Sequence, residues 1–143
     1  MDRGLLLELV RKQYGERLLS LAIFGSRVTG DYRPDSDIDL LVVCDVFPGG
    51  RMARTEEWLP MEADWSGPYL SPLFYTPVEL KNGSPVFLNL TLGEIEYLYD
   101  PQNLLKDYID DLSRRLRAMG ARRIGQGKAA YWDMGRRGSE VVL

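Results

Sequence analysis

Two short apolar runs, Leu18–Phe24 and Ile38–Cys44, constrain this chain more than any other feature. Both are dense in Leu, Ile, Val and Phe and too short for core helices, so they read as buried strands. The first run ends in Gly25-Ser26, and after ten residues Asp37-Ile38-Asp39-Leu40 opens the second. Successive side chains of a strand point to opposite faces. Asp37 and Asp39 therefore share a face with Leu41 and Val43, while Ile38, Leu40 and Val42 form an apolar face that must meet a core. A fold that brings the two runs together sets a glycine-serine turn beside a pair of carboxylates.

Strand rise spaces the two carboxylates about 7 Å apart, so they can converge on one or two Mg²⁺ ions. Magnesium takes hard oxygen ligands, commonly one or two carboxylates plus substrate phosphates. Two such ions can polarise an α-phosphate, activate an attacking hydroxyl and neutralise departing pyrophosphate. Gly25 lets the backbone approach a triphosphate without a Cβ in the way. Ser26 adds a hydroxyl at the start of a helical turn predicted over Ser26–Tyr32, where free N–H groups attract anions. Arg27 or Arg33 adds charge for the same phosphates. The candidate residues are thus Asp37 and Asp39 for metal and catalysis, and Gly25, Ser26 and Arg27 for the nucleotide. The plainer reading is a Gly-Ser hairpin turn and an Asp-rich strand entry serving as a cap.

Composition removes several alternatives. The chain has no histidine, which excludes His-based acid–base catalysis, catalytic triads and His-ligated zinc. Its one cysteine, Cys44, falls inside a predicted strand, so no internal disulfide or cysteine metal cluster is expected. Any metal is then held by oxygen, and the cysteine usage fits a reducing cytoplasm. No apolar run approaches the roughly 20 residues needed to span a bilayer. The start, Met1 to Glu8, offers three apolar residues before an acid, so neither a signal peptide nor a membrane role is expected. At 143 residues, 45% hydrophobic and 27% charged, one soluble globular domain is expected over 1–143.

The net charge of −3 is unevenly spread. Residues 114–143 hold eight Arg or Lys against Asp133 and Glu140, giving +6 and leaving −9 for the rest. This split suggests an anionic ligand or an acidic partner surface; a solvated helix face with a tail explains it equally well. The acidic total argues against a general nucleic-acid binder.

Local patterns predict a helix over 4–14 ended by Gly15, strands over Leu18–Phe24 and Asp37–Cys44, and a loop over Arg33–Ser36. A helix over Met52–Asp64, a strand over Tyr69–Thr76 and one helical turn over Pro77–Lys81 follow. Phe87–Leu92 fits helix or strand, and Ile95–Tyr99 a short strand. A long C-terminal helix is expected over 101–120, starting at Pro101 and stopped by Gly120. Residues 121–143 are expected as a basic extended arm, with a weak hairpin over Arg122–Trp132 as the other option. Trp58, Trp65, Trp132 and the tyrosines at 69, 75, 97 and 99 fit core or interface better than base stacking. Alternating strands and helices indicate an α/β layer fold.

Gly25-Ser26, ten residues, then Asp37-Ile38-Asp39 resembles the signature of the DNA polymerase beta-like nucleotidyltransferase superfamily. The ten-residue spacer and short length are similar to its minimal nucleotidyltransferase (MNT) branch, which Ile23–Arg27 and Asp35–Val43 match closely. More loosely, Ser71-Pro72-Leu73, Tyr97–Pro101 and Ala130–Met134 resemble stand-alone archaeal members. The resemblance implies a mixed sheet flanked by helices, in the α/β (α+β) class, with Mg²⁺ and a nucleoside triphosphate. It implies phosphate contacts at Gly25 and Ser26 and metal contacts at Asp37 and Asp39. Members of this branch often pair with a helical HEPN protein, and some act as antitoxins by transferring AMP to the HEPN toxin. The expected activity is therefore transfer of NMP, AMP from ATP foremost, to a hydroxyl of a protein or small molecule. The other expectation is an MNT-type antitoxin that masks a HEPN partner by binding alone; a homo-oligomer is compatible with either.

One departure stands out. The superfamily normally supplies a third carboxylate from a neighbouring strand, and Tyr69–Thr76 contains no acid. Asp45 shares the Asp39 face but lies about 20 Å along the strand. Glu62 and Asp64 precede the Gly67-Pro68 break and Glu79 follows the strand, so none of them is assigned.

Overall fold

The computed structural model describes residues 1–25, 36–83, 90–91, 94–125 and 131–133. Leu18–Phe24 forms β1 and Ile38–Cys44 forms β2; they pair antiparallel, with Leu18 opposite Cys44 and Phe24 opposite Asp39. Strand β3 (Leu70–Tyr75) runs parallel to β2, and β4 (Glu96–Tyr99) antiparallel to β1. The result is a mixed four-stranded sheet in the order β3-β2-β1-β4. Pro72 sits on the edge strand β3, where its missing N–H costs no ladder bond. The helices are α1 (Arg3–Tyr14), α2 (Arg51–Glu62), α3 (Pro77–Asn82) and α4 (Leu104–Ala118). This is the expected mixed sheet flanked by helices.

Strand alternation divides the core into two. Ile38, Leu40, Val42 and Cys44 pack with Leu6, Val10 and Tyr14 of α1 and with Trp58 and Met61 of α2. The opposite face, with Leu41 and Val43, packs against Leu80 of α3 and the α4 stripe Leu105, Ile109, Leu112 and Leu116. Both layers follow from apolar residues at helical spacing meeting apolar residues at strand spacing.

Capping chemistry sets the helix ends. The Asp2 carboxylate accepts from the Leu5 N–H at 2.9 Å, and Gly15 at φ 59° ends α1. Thr76 and Glu79 form a reciprocal capping box around Pro77 at the start of α3. Helix α4 corrects an expectation: it begins at Leu104, not Pro101. The Asp100 carboxylate accepts from the N–H groups of Leu105 (3.1 Å) and Lys106 (2.9 Å) and from the Ser20 hydroxyl (2.7 Å). With Asn103 at φ 54°, residues 101–103 form a turn that carries the chain from β4 onto the sheet face.

Of the two options for the C-terminal segment, the described residues show the paired strands of the hairpin and not the extended arm. Arg122–Ile124 (β5) and Tyr131–Asp133 (β6) pair antiparallel. Ala121 is buried, Trp132 packs on the α4 side, and its indole N–H donates to Thr91 Oγ1 at 2.7 Å. An apolar anchor at each end holds these strands back against the core. The helical turn over Ser26–Tyr32 and most of Phe87–Leu92 lie outside the described residues, although Leu90 and Thr91 are helical and buried. Among the described residues, no helix is long and apolar enough to cross a membrane.

Candidate active site

The turn after β1 and the entry to β2 meet at one end of the sheet. Because Phe24 pairs with Asp39, Gly25 lies directly beside that carboxylate. Gly25 has φ 77°, and a Cβ built there would sit 2.6 Å from Asp39 Oδ2. Two separate constraints thus demand glycine: a left-handed backbone and a contact that leaves no room for a methyl group. Asp39 is half-buried on the face of Leu41 and Val43. Asp37 stands exposed at the strand entry and makes no ion pair or side-chain hydrogen bond among the described residues. The expected strand start at Asp37 is corrected by one residue: β2 begins at Ile38, which is fully buried and whose N–H donates to the Tyr69 carbonyl at 2.8 Å, so Asp39 stands on the strand and Asp37 just before it. Ser26 and Arg27 lie outside the described residues.

The structure accounts for most of the other acids considered as a third carboxylate. Glu62 accepts from the Trp58 indole N–H at 2.7 Å. Glu79 is held by Arg54 at 2.9 Å and accepts from the Thr76 N–H. Burial works against the Glu79 carboxylate, but the Arg54 guanidinium and the Thr76 donors outweigh it, so its pKa lies below the ordinary glutamate value. Asp45 and Asp64 are exposed, Asp45 just past the far end of β2 and Asp64 just past α2. Among the described residues no three Asp, Glu or Cys side chains form a metal-binding group. Cys44 is no ligand either, since burial in the core pushes its thiol up to about 12. Two hard carboxylates suit Mg²⁺, whose remaining positions phosphate and water commonly fill.

Sequence reasoning missed Ser71. The parallel register of β2 and β3 places it opposite Asp39. The alternation that sends Leu70 and Phe74 into one core sends Leu73 and Tyr75 towards the other, so Ser71 shares the Asp39 face. Only the register reveals this, and no local sequence signal carries it.

Most of the aromatic candidates settle into packing, whereas Tyr69 is exposed and the basic ones form surface ion pairs. Trp58 is buried, the Trp65 indole donates to the Pro68 carbonyl at 2.7 Å, and Arg11 stacks over Tyr99. Arg114 and Arg115 pair with Asp111 within their own helix at 3.7 and 3.2 Å, and Arg122 with Asp133 at 3.8 Å. These are exposed pairs along a solvated face.

Known proteins share this fold. The family model for the nucleotidyltransferase domain matches residues 4–112. A Methanocaldococcus jannaschii protein named as a protein adenylyltransferase is 28% identical over 109 residues, covering 73% of this chain and 74% of that one. A toxin–antitoxin crystal structure with AMP-PNP superposes with TM-score 0.60 at 18% identity, over 82% of this chain and 91% of the other. A complex of tri-AMPylated Shewanella oneidensis HEPN toxin with MNT antitoxin superposes with TM-score 0.53 at 17% identity, over 81% and 87%. A spectinomycin adenyltransferase from Enterococcus faecialis, with ATP and spectinomycin, reaches TM-score 0.54 at 14% identity, over 72% and 56%. The structural likenesses share the fold, and the matched segment contains β1, the Gly25 turn and β2. The chain belongs to the nucleotidyltransferase domain family.

Proposed function

We propose that this chain is a Mg²⁺-dependent nucleotidyltransferase that moves AMP from ATP onto a hydroxyl of a partner protein. The observation that carries this reading is the contact between the Gly25 turn and the Asp39 carboxylate. It joins a turn suited to phosphates and an acid suited to metal at one end of the sheet. Asp37 and Asp39 would hold the metal, with Gly25, Ser26 and Arg27 on the phosphates. When bound, the metal supplies charge neutralisation at the α-phosphate and the departing pyrophosphate. The chain's own part is orientation: the Gly25 turn would admit the phosphates, and β2 holds Asp39 on a rigid strand with Asp37 at its entry. The name of the M. jannaschii relative and the AMP-PNP of one structural neighbour support an adenylyl group. The toxin–antitoxin neighbours support a helical HEPN-type partner.

A second reading is favoured by one observation: β3 sets Ser71 rather than an acid beside Asp39. A site that binds Mg²⁺-nucleotide without a protein base suits an antitoxin that masks its partner by binding alone. Incubating α-labelled ATP and Mg²⁺ with the co-purified partner separates the two. Label on the partner with the native chain but not with Asp37→Ala supports transfer. Neutralisation by both chains without label selects binding, and label with both contradicts the Asp-centred reading.

A further inference from the structure

Helix α1 has an outer face as regular as its inner one. Leu6, Val10 and Tyr14 enter the core. Gly4, Glu8 and Arg11, with Gly15 at the C-cap, recur at helical spacing on the exposed side. Half-buried Leu7 and Tyr99 join them around a groove of about 660 Å³. Arg11 lies over the Tyr99 ring, 5.0 Å from its centroid. Among the described residues none of Glu8, Arg11 and Lys12 enters an ion pair. Exposed charges one turn apart on α4 do pair, Lys106 with Asp110 and Arg115 with Asp111. Gly4 also goes unused by the fold: a Cβ there would meet Asp2 Oδ1 at 3.5 Å, an ordinary contact. Glycine is a poor helix former, and on an exposed helical position it fits close approach by another backbone.

The stripe is complementary to itself. A second α1 can be laid antiparallel about a two-fold axis that passes between Leu9 and Val10. That axis sets Gly4 opposite Gly15 of the second copy, and Glu8 opposite its Arg11 with Lys12 one position beyond. Each contact occurs twice. The glycines let the helices close at both ends, unlike charges meet in the middle, and Leu7 with the stems of Arg11 and Lys12 supplies apolar contact. We propose that this face of α1 is the interface of a symmetric homodimer, in which Glu8 of each copy pairs with Arg11 and Lys12 of the other. The proposal goes beyond the nucleotidyltransferase reading and does not rest on it. A helix of 12 residues is about 18 Å long. The contact therefore belongs to the small class of specific interfaces, and the dimer is weak and concentration-dependent.

Sedimentation velocity of the full chain alone, across the micromolar range and at low and high salt, tests this. The native chain is expected to dimerise reversibly, and more weakly at high salt because the charges are exposed. Glu8→Lys should weaken association about tenfold or more, since like charges then meet twice in each dimer. The double variant Arg11→Glu, Lys12→Glu should weaken it about as much, for the same reason. An equimolar mixture of those two chains should associate like the native one, because both contacts are then between opposite signs. Gly4→Leu should hold the helices apart and abolish association without lowering Tm. A native chain that stays monomeric overturns the proposal, whether or not a co-purified partner covers the stripe. Native-strength association by any of these variants alone moves the interface off α1 and overturns it as well. A mixture of the two charge variants that stays monomeric overturns the pairing of Glu8 with Arg11 and Lys12.

Discussion

The two ends of the central sheet use the same residue types for opposite purposes. At the end where β2 finishes, the principal charged groups are tied into the structure. Arg17 grips Glu57 with two hydrogen bonds at 3.3 and 2.8 Å. Arg54 reaches Glu79 and the Phe74 carbonyl and lies 4.5 Å from the Phe47 ring centroid. Tyr14, Phe47, Trp58 and Phe74 interlock through tilted and edge-on ring contacts beneath them. At the other end Asp37 has no such partner among the described residues, and Asp39 abuts a glycine. An acid that holds a helix to a sheet is spent on the fold, whereas an exposed acid such as Asp37, with no ion pair or side-chain hydrogen bond among the described residues, is available to a ligand.

Substitutions at the two ends should therefore separate activity from stability. The largest expected effect is Asp39→Ala, which should lower nucleotidyl transfer by about a hundredfold to a thousandfold, the scale of removing one electrostatic stabiliser. Thermal denaturation of Asp37→Ala should show no loss of stability, since that exposed carboxylate makes no ion pair or side-chain hydrogen bond among the described residues; a large fall in Tm there would break the contrast. Gly25→Ala should abolish Mg²⁺–nucleotide binding and cost about 1–2 kcal/mol for the left-handed backbone alone, read by calorimetric titration and denaturant unfolding. At the far end, Trp58→Ala should cost about 3–5 kcal/mol through the cavity it leaves, while nucleotide affinity in the folded fraction stays native. Glu57→Ala should cost about 1–3 kcal/mol, because it strands the partly buried Arg17 guanidinium.

The smallest effect is a dependence on pH. Glu79 has a folded pKa below its unfolded value, so its stabilisation is present above the unfolded glutamate pKa of about 4.3. It is lost as pH falls through the folded value. Denaturant unfolding across the acid range should show this slope in the native chain and a shallower one in Arg54→Ala. An unchanged slope would separate Glu79 from the acid sensitivity of the fold.

Much of the fold was legible because it rests on local patterns. The apolar runs of β1 and β2 and the amphipathic stripe of α4 each announce their element in a few neighbouring residues. The start of α4 was not legible, because Asp100 caps it from beyond a turn that also bonds Ser20, eighty residues away in sequence. The hairpin over Arg122–Trp132 was one of two options in the sequence, and what anchors it, the contact of Trp132 with Thr91, is distant in sequence. At the candidate site, Asp37, Asp39 and Gly25 were visible from their spacing. Ser71 was hidden, since its place beside Asp39 follows from a parallel register and not from any motif.

The central claim is the proposal that Asp37 and Asp39 serve a transferred nucleotide. The most direct measurement is intact mass of the co-purified partner after incubation with ATP and Mg²⁺, using the native chain and Asp39→Asn at matched concentration. The account predicts addition of an adenylate mass with the native chain and none with Asp39→Asn, which should remain folded and bound to the partner. Equal modification by both chains, or an Asp39→Asn chain that fails to fold, would contradict it.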